Sequence, residues 1–353
     1  MQSSFMEMKD FDPDGTGLDN GNYFGLPCTA EESRLVLLSV PWDVTASYGG
    51  GAAFGPDAII GASSQLDLYD GFHPGGWREG IGTVGIDYSI QERSIFLRGD
   101  AQKVMSHLES GGSTGDEYVK RKIARINEGS RWLNDRVYGE ASSWLDRGRL
   151  VGLVGGDHST PLGFVRALAE REGALGVLHV DAHRDLRAGY EGFDYSHASI
   201  MYNVLKEVPG VERLVQVAVR DFCDGEEALA GSDSRVVSFD DYLLARNRFG
   251  GMTWREQCAR IVESLPAKVY VSFDIDGLSP ELCPHTGTPV AGGLSFHEAV
   301  FLLDAVVASG RRIVGFDLCE VAPAAGHENE WDANVGARVL YKLCNFTLKS
   351  NPK

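Results

Sequence analysis

Seven short, almost wholly apolar runs, residues 35–40, 150–154, 176–180, 214–219, 235–239, 268–273 and 312–317, recur along the chain with longer segments between them. A strand that is apolar at successive positions has both faces covered, the condition of a strand inside a parallel sheet. Segments 119–147, 160–171, 254–264, 296–309 and 334–348 instead carry apolar residues at helical spacing and reach helical length. Strand and helix in alternation predict a doubly wound α/β domain, a three-layer α/β/α sandwich around a central, mainly parallel sheet. No linker or internal repeat interrupts it, so residues 35–353 are expected to form a single domain behind an extension, 1–34, that lies on the body or on a neighbouring subunit. The Gly/Ser-rich stretch 110–116 reads as a surface excursion.

A chain of 353 residues can bury a sizeable core. Fifty acidic residues against 33 basic ones leave a formal net charge of −17, which repels phosphate backbones and attracts small cations, so nucleic acid is not an expected partner. The six cysteines include no Cys-x-x-Cys pair and read as reduced, mostly packed thiols. The first 25 residues lack the basic and apolar regions of a signal peptide, and no apolar run approaches the ~20 residues of a membrane span. A cytoplasmic protein that does not engage membranes is expected.

In a parallel sheet, ligands bind beyond the carboxyl ends of the strands, so the polar residues directly after apolar runs carry the chemistry. Run 150–154 leads into Gly155-Gly156-Asp157-His158-Ser159, run 176–180 into Asp181-Ala182-His183-Arg184-Asp185, and run 268–273 into Asp274-Ile275-Asp276-Gly277. Side chains two residues apart at a strand end point the same way, so Asp181, His183 and Asp185 can aim at one point, as can Asp274 and Asp276. Each cluster alone has an ordinary explanation: an Asp pair caps or is solvated, a Gly pair makes a turn, a histidine fills a core. Three such clusters, each of metal-ligand type and each at a strand end, exceed what packing requires. Four converging carboxylates repel one another unless cations neutralise them. Carboxylates with two imidazoles suit Mn²⁺ and also Ni²⁺, Co²⁺ or Fe²⁺. Two divalent ions sharing one water lower its pKa towards neutrality.

These strings, with Ser272-Phe273 ahead of the third and Leu278-Ser279-Pro280 behind it, resemble the three signatures of the ureohydrolase family of arginases and agmatinases. The similarity covers about residues 35 to 348 and includes Pro41-Trp42-Asp43, Thr286-Gly287-Thr288-Pro289 and Gly315-Phe316-Asp317-Leu318-Cys319-Glu320. It implies an arginase-like fold and a C–N hydrolase that releases urea from a small cationic guanidino substrate. By the same resemblance His158, Asp181, Asp185 and Asp274 hold one metal ion, and His183, Asp181, Asp274 and Asp276 the other, with Mn²⁺ or Ni²⁺ as the metal. Glu320 corresponds to the carboxylate that binds the guanidinium, a fit between two acceptors and a planar fork of donors. His197, in Tyr195-Ser196-His197-Ala198-Ser199, corresponds to a proton-shuttling histidine, and an ordinary pKa of about 6.5 suits protonation of a leaving amine. Asp276 completes the catalytic set, and a homo-oligomer, trimer or hexamer, is expected.

After the second signature this chain reads Leu186-Arg187-Ala188-Gly189-Tyr190-Glu191-Gly192, which departs from the arginase pattern and is similar to the agmatinase-like branch that includes guanidine hydrolases. The head segment, Phe11-Asp12-Pro13-Asp14-Gly15 and Asn20 to Pro27, and residues 42–48 resemble guanidine hydrolases. Guanidine is therefore the expected substrate and agmatine the alternative, followed by other guanidino acids or formiminoglutamate. The extension is expected to cover the mouth of the site, and Trp42 and Thr45 to line a small pocket. A non-catalytic relative would have lost ligands, and all six are present.

Overall fold

The computed structural model describes residues 8–324, 326 and 329–353; the first seven residues of the extension lie outside that range. In chain order the elements are β1 (Leu35–Val40), α1 (Gly55–Ser63), β2 (Ile81–Thr83), α2 (Tyr88–Glu109), α3 (Glu117–Asp146), β3 (Leu150–Gly155), α4 (Leu162–Glu172), β4 (Leu175–Val180), α5 (Ile200–Glu207), β5 (Val211–Val217), α6 (Asp224–Ser232), β6 (Val236–Phe239), α7 (Asp241–Phe249), α8 (Trp254–Glu263), β7 (Lys268–Asp274), α9 (Phe296–Ala308), β8 (Arg312–Cys319) and α10 (Trp331–Ser350). The strands lie in the order β2-β1-β3-β8-β7-β4-β5-β6, and every pairing is parallel.

The two-residue period of the strands splits the interior into two cores. Leu35 and Leu37 of β1 point to the side covered by α1, α8, α9 and α10, while Val36, Leu38 and Val40 point to α2, α3, α4 and α5. That is the three-layer sandwich expected, with a wholly parallel sheet. Helix starts are fixed locally: α8 and α9 begin with capping boxes, Thr253 with Glu256 and Ser295 with Glu298. Among the described residues no helix is long and apolar enough to cross a membrane. All six cysteines are free, and all but Cys223 are buried.

The structure adds elements that hydrophobic runs do not announce: β2, α1, α2, α5, α6 and α7. In α2 the inward positions Ile90, Leu97, Ala101 and Val104 keep helical spacing, but exposed Ile95 and Phe96 blur the stripe. The run 214–219 stops being a strand after Val217 because Ala218 turns into the left-handed region at φ 75°. Residues 110–116 connect α2 to α3 at the surface.

Among the described residues of the extension, 8–34, none lines the cleft beside His183 and Asp185. Tyr23, Phe24 and Leu26 are buried in the core shared with α1 and α10. The Tyr23 hydroxyl is 2.8 Å from Ser39 Oγ, the Phe24 N–H donates to Ser63 Oγ at 2.8 Å, and the Phe24 ring meets Tyr341 edge-on. Apolar burial holds this segment beside β2 and α1.

Candidate metal centre and substrate cleft

Four neighbouring strands in the middle of the sheet, β3, β8, β7 and β4, end on the same side of the molecule. Asp274 is the last residue of β7, Asp181 and Glu320 follow β4 and β8 directly, and His158 stands three residues beyond β3. His158 Nδ1 lies 3.0 Å from Asp181 Oδ2 and 3.2 Å from both Asp185 Oδ2 and Asp274 Oδ2. His183 Nδ1 lies 3.2 Å from Asp276 Oδ2 and 3.4 Å from Asp181 Oδ1. Asp181 thus turns one oxygen to each imidazole. All six expected ligands converge on two adjacent foci, and all except His183 are buried. Asp274 turns one oxygen to the His158 focus and accepts the Asp276 N–H with the other.

Two glycines permit this convergence. A Cβ on Gly156 would stand 2.0 Å from the Trp42 carbonyl oxygen, and one on Gly277 would stand 2.7 Å from the Asp181 nitrogen. Backbone strain is concentrated here too: Asp185 and Glu320 have φ of 53° and 62°, a conformation costing an L residue about 1–2 kcal/mol that tertiary contacts must offset.

The charges are arranged for a cation. Burial alone would depress His158, but Asp181, Asp185, Asp274 and Asp317 hold its pKa well above the ordinary value. Burial likewise opposes protonation of His183, yet Asp276 and Asp181 push it up to about 12. Burial, then Asp276 and Asp181, raise Asp274 well above a normal carboxylate, and burial with Asp181 takes Asp185 to about 6. Asp181 goes the other way: against its burial, His179 and His158 keep it well below the usual range. Protons on two imidazoles occupy the place that divalent cations would fill, and two imidazoles among four carboxylates are a donor set such ions accept.

A second layer, not singled out in the sequence, aims these groups. The Ser272 hydroxyl donates to Asp317 Oδ2 at 2.8 Å and so must accept from His158 Nε2 at 2.9 Å. That fixes the proton on Nε2 and leaves Nδ1 pointing into the carboxylates as the ligating atom. His179 Nε2 sits 2.8 Å from Asp181 Oδ2 and is backed by Gln216. Both supporting residues stand two positions before a ligand, Ser272 before Asp274 and His179 before Asp181, so the strand period pointed to them. Arg220 donates to the carbonyls of Asp276, Leu278 and Val290, pinning the loop that carries Thr288.

A cleft of about 230 Å³ opens beside His183 and Asp185, with Ser47, Arg187, His197 and Thr288 also on its wall. His197 Nε2 is 3.3 Å from Ser47 Oγ and Nδ1 is 3.3 Å from Ser196 Oγ. The structure changes the acid–base expectation for His197: burial, then the positive charges of His183 and Arg98, drive its pKa down to about 3. It is a neutral imidazole near neutral pH. Glu320 is buried, and its Oε1 accepts the His158 backbone N–H at 2.9 Å. Burial, then the neighbouring Asp157, raise it well above a free glutamate.

Two residues expected to line the pocket lie elsewhere. Trp42 is fully buried, packed at 6.5 Å from the ring of Trp132 in the core under α2 and α3. Thr45 is also buried; its hydroxyl donates to Asp157 and accepts the His197 N–H at 3.1 Å, so it supports the cleft from behind. Tyr48 projects outward, 87% exposed, along a separate groove with Pro284 and His285.

Residues 33–345 match the family model described as the Arginase family. The chain is 33% identical to an N(1)-aminopropylagmatine ureohydrolase of Thermus thermophilus over 311 residues, 88% of this chain and 89% of the relative. It is 28% identical to an agmatinase of Bacillus anthracis, over 85% of this chain and 87% of the relative. Among solved structures, the proclavaminate amidino hydrolase of Streptomyces clavuligerus shares the fold with a TM-score of 0.71 at 24% identity, covering 96% of this chain and all (100%) of that one.

Proposed function

Given that this chain belongs to the arginase family, hydrolases of amidino C–N bonds, we propose that it releases urea from a guanidino substrate, free guanidine, in the cleft beside His183 and Asp185. The observation carrying this reading is the convergence of two imidazoles and four carboxylates, of which His183 and Asp185 line a cleft that also holds His197. Two divalent ions, Mn²⁺ or Ni²⁺, held by His158, Asp181, His183, Asp185, Asp274 and Asp276 would supply a water of near-neutral pKa and neutralise the acids.

The chain's own groups do the rest. Glu320 receives the guanidinium through paired charge-assisted hydrogen bonds, and the cation draws the buried carboxyl into its ionised form. His197, neutral, offers one ring nitrogen as acceptor and one as donor, with Ser47 steadying Nε2, so it can pass a proton from the attacking water to the departing nitrogen. Asp276 is held by the Ala182 N–H at 3.0 Å and contacts Thr288, which fixes it at the edge of the reacting space. The balance is guanidinium plus water giving urea plus ammonium. The packing of Tyr23, Phe24 and Leu26 into the core and the burial of Trp42 remove the steric argument for guanidine, which rests instead on the resemblance of the head segment and of residues 42–48. Agmatine is the second reading, supported by the names of the relatives and by Asp221, an exposed carboxylate on the cleft wall that can receive a distal ammonium.

Urea release from guanidine, methylguanidine, agmatine and arginine, with Mn²⁺- and Ni²⁺-loaded enzyme, tests the proposal. Guanidine is expected to give the highest kcat/KM; agmatine better by about tenfold, or 1.4 kcal/mol, replaces guanidine with the second reading. Metal binding has its own signature. Both metal-free imidazoles hold protons through the neutral range, His183 up to about 12, so each ion must displace protons to bind. Apparent Mn²⁺ affinity should rise by about tenfold per pH unit for each proton displaced, and fall as the solution is acidified. Calorimetric titration in buffers of different ionisation enthalpy reads the released protons; none released, with pH-independent affinity, contradicts the ligand assignment.

A further inference from the structure

Taking the cleft as the place where the guanidino group is hydrolysed, we propose that Arg187 is a specificity-determining residue that sets the sign of the substrate tail, admitting a carboxylate-bearing tail over an ammonium-bearing one. Arg187 is on the cleft wall with His183 and His197. Its backbone is anchored beside His197 by the Arg187 N–H donating to the Ala198 carbonyl at 3.1 Å. Its guanidinium lies over the Tyr190 ring, 4.6 Å from the centroid, which limits where the charge can go.

The neighbouring acid, Glu226, is on the same wall and forms an ion pair with Arg187 at Nε. Glu226 Oε2 is 3.6 Å from Arg187 Nε, beyond hydrogen-bond distance. Both Glu226 oxygens are engaged already, Oε1 by the Leu186 N–H at 3.1 Å and Oε2 by the Cys223 N–H at 3.0 Å. Among the described residues Arg187 has no side-chain hydrogen bond, so beyond the Nε ion pair its terminal N–H groups keep their donors for a ligand at the cleft, with 34% of the side chain exposed. A planar fork of donors matches a carboxylate and repels an ammonium. Asp185 is turned to His158, Asp221 is exposed, where solvent and salt screen it, and the carboxyl of Glu191, which also feels Arg187, is pushed up to about 7 by burial. A tail that runs from the metal centre past His197 can therefore reach terminal N–H donors of Arg187 that no group of the chain hydrogen-bonds among the described residues.

Two probes of similar length separate the signs: 4-guanidinobutyrate, ending in a carboxylate, and agmatine, ending in an ammonium. For the wild-type holoenzyme kcat/KM is expected to favour guanidinobutyrate by about tenfold or more. Arg187→Gln should bring that ratio close to one, mainly through KM, because the contact is the same in ground and transition states. Arg187→Glu should invert the ratio, and Arg187→Lys, which keeps the charge without the fork, should retain the preference in part; thermal midpoints of all three check folding. A wild-type preference for agmatine, or a ratio indifferent to residue 187, overturns the inference while leaving urea release intact. Absence of urea from every guanidino compound with metal-loaded enzyme overturns the hydrolase reading and this inference together.

Discussion

Asp274→Asn is expected to abolish urea release and to leave the protein folded with less than two metal ions per chain. Asp274 Oδ2 faces the His158 focus, its other oxygen accepts the Asp276 N–H, and the substitution keeps the shape while removing the charge. Loss of a residue that merely orients a ligand costs about 10- to 100-fold in affinity or activity, so loss of a ligand itself should cost more. Stability should move the opposite way. In the metal-free protein, burial and the repulsion of Asp276 and Asp181 hold the Asp274 pKa well above normal, meaning its charged form is disfavoured in the fold. Removing that charge should leave the metal-free midpoint of unfolding equal to or above the wild type. Addition of Mn²⁺ should then raise the midpoint of the wild type and barely move the variant. Full metal content with activity retained would place the centre elsewhere.

Glu320→Gln should lower kcat/KM for guanidine while leaving the metal content at the wild-type level. Glutamine keeps the Oε1 acceptor that receives the His158 N–H, so the loop beyond β3 is not disturbed. What disappears is the second charge-assisted acceptor for the guanidinium. Breaking one partner of a buried charge pair costs about 2–5 kcal/mol, or roughly thirty- to several-thousandfold in rate. Metal analysis beside the kinetics separates the roles: if metal is lost together with activity, Glu320 serves the His158 loop and not the substrate.

The core strands were legible in the sequence because burial on both faces leaves no polar alternate, and β1 coincides with the run 35–40 to the residue. The six ligand-type residues were legible for a related reason. At a strand end, a two-residue spacing keeps side chains on one face, so Asp181, His183 and Asp185, or Asp274 and Asp276, declare their direction without any knowledge of the rest of the chain. The same rule applied one step earlier reaches His179 and Ser272, whose burial gives them no exposed role to compete with it.

Everything that depends on which strands are neighbours was decided by the tertiary structure. The order β3-β8-β7-β4 joins residues from four distant stretches into one centre, and local periodicity carries no information about that order. Tyr23 and Phe24 lie in the core and not over the cleft because α1 and α10 offer an apolar surface there, a contact made across more than three hundred residues in the case of Phe24 and Tyr341. Trp42 faces α2 and α3 for the same kind of reason. The low pKa of His197 and the Arg187 side chain without a hydrogen bond belong to this class too: both follow from the summed field and the hydrogen-bond partners left over once the chain has packed, quantities that exist only when residues far apart in sequence share one low-dielectric space.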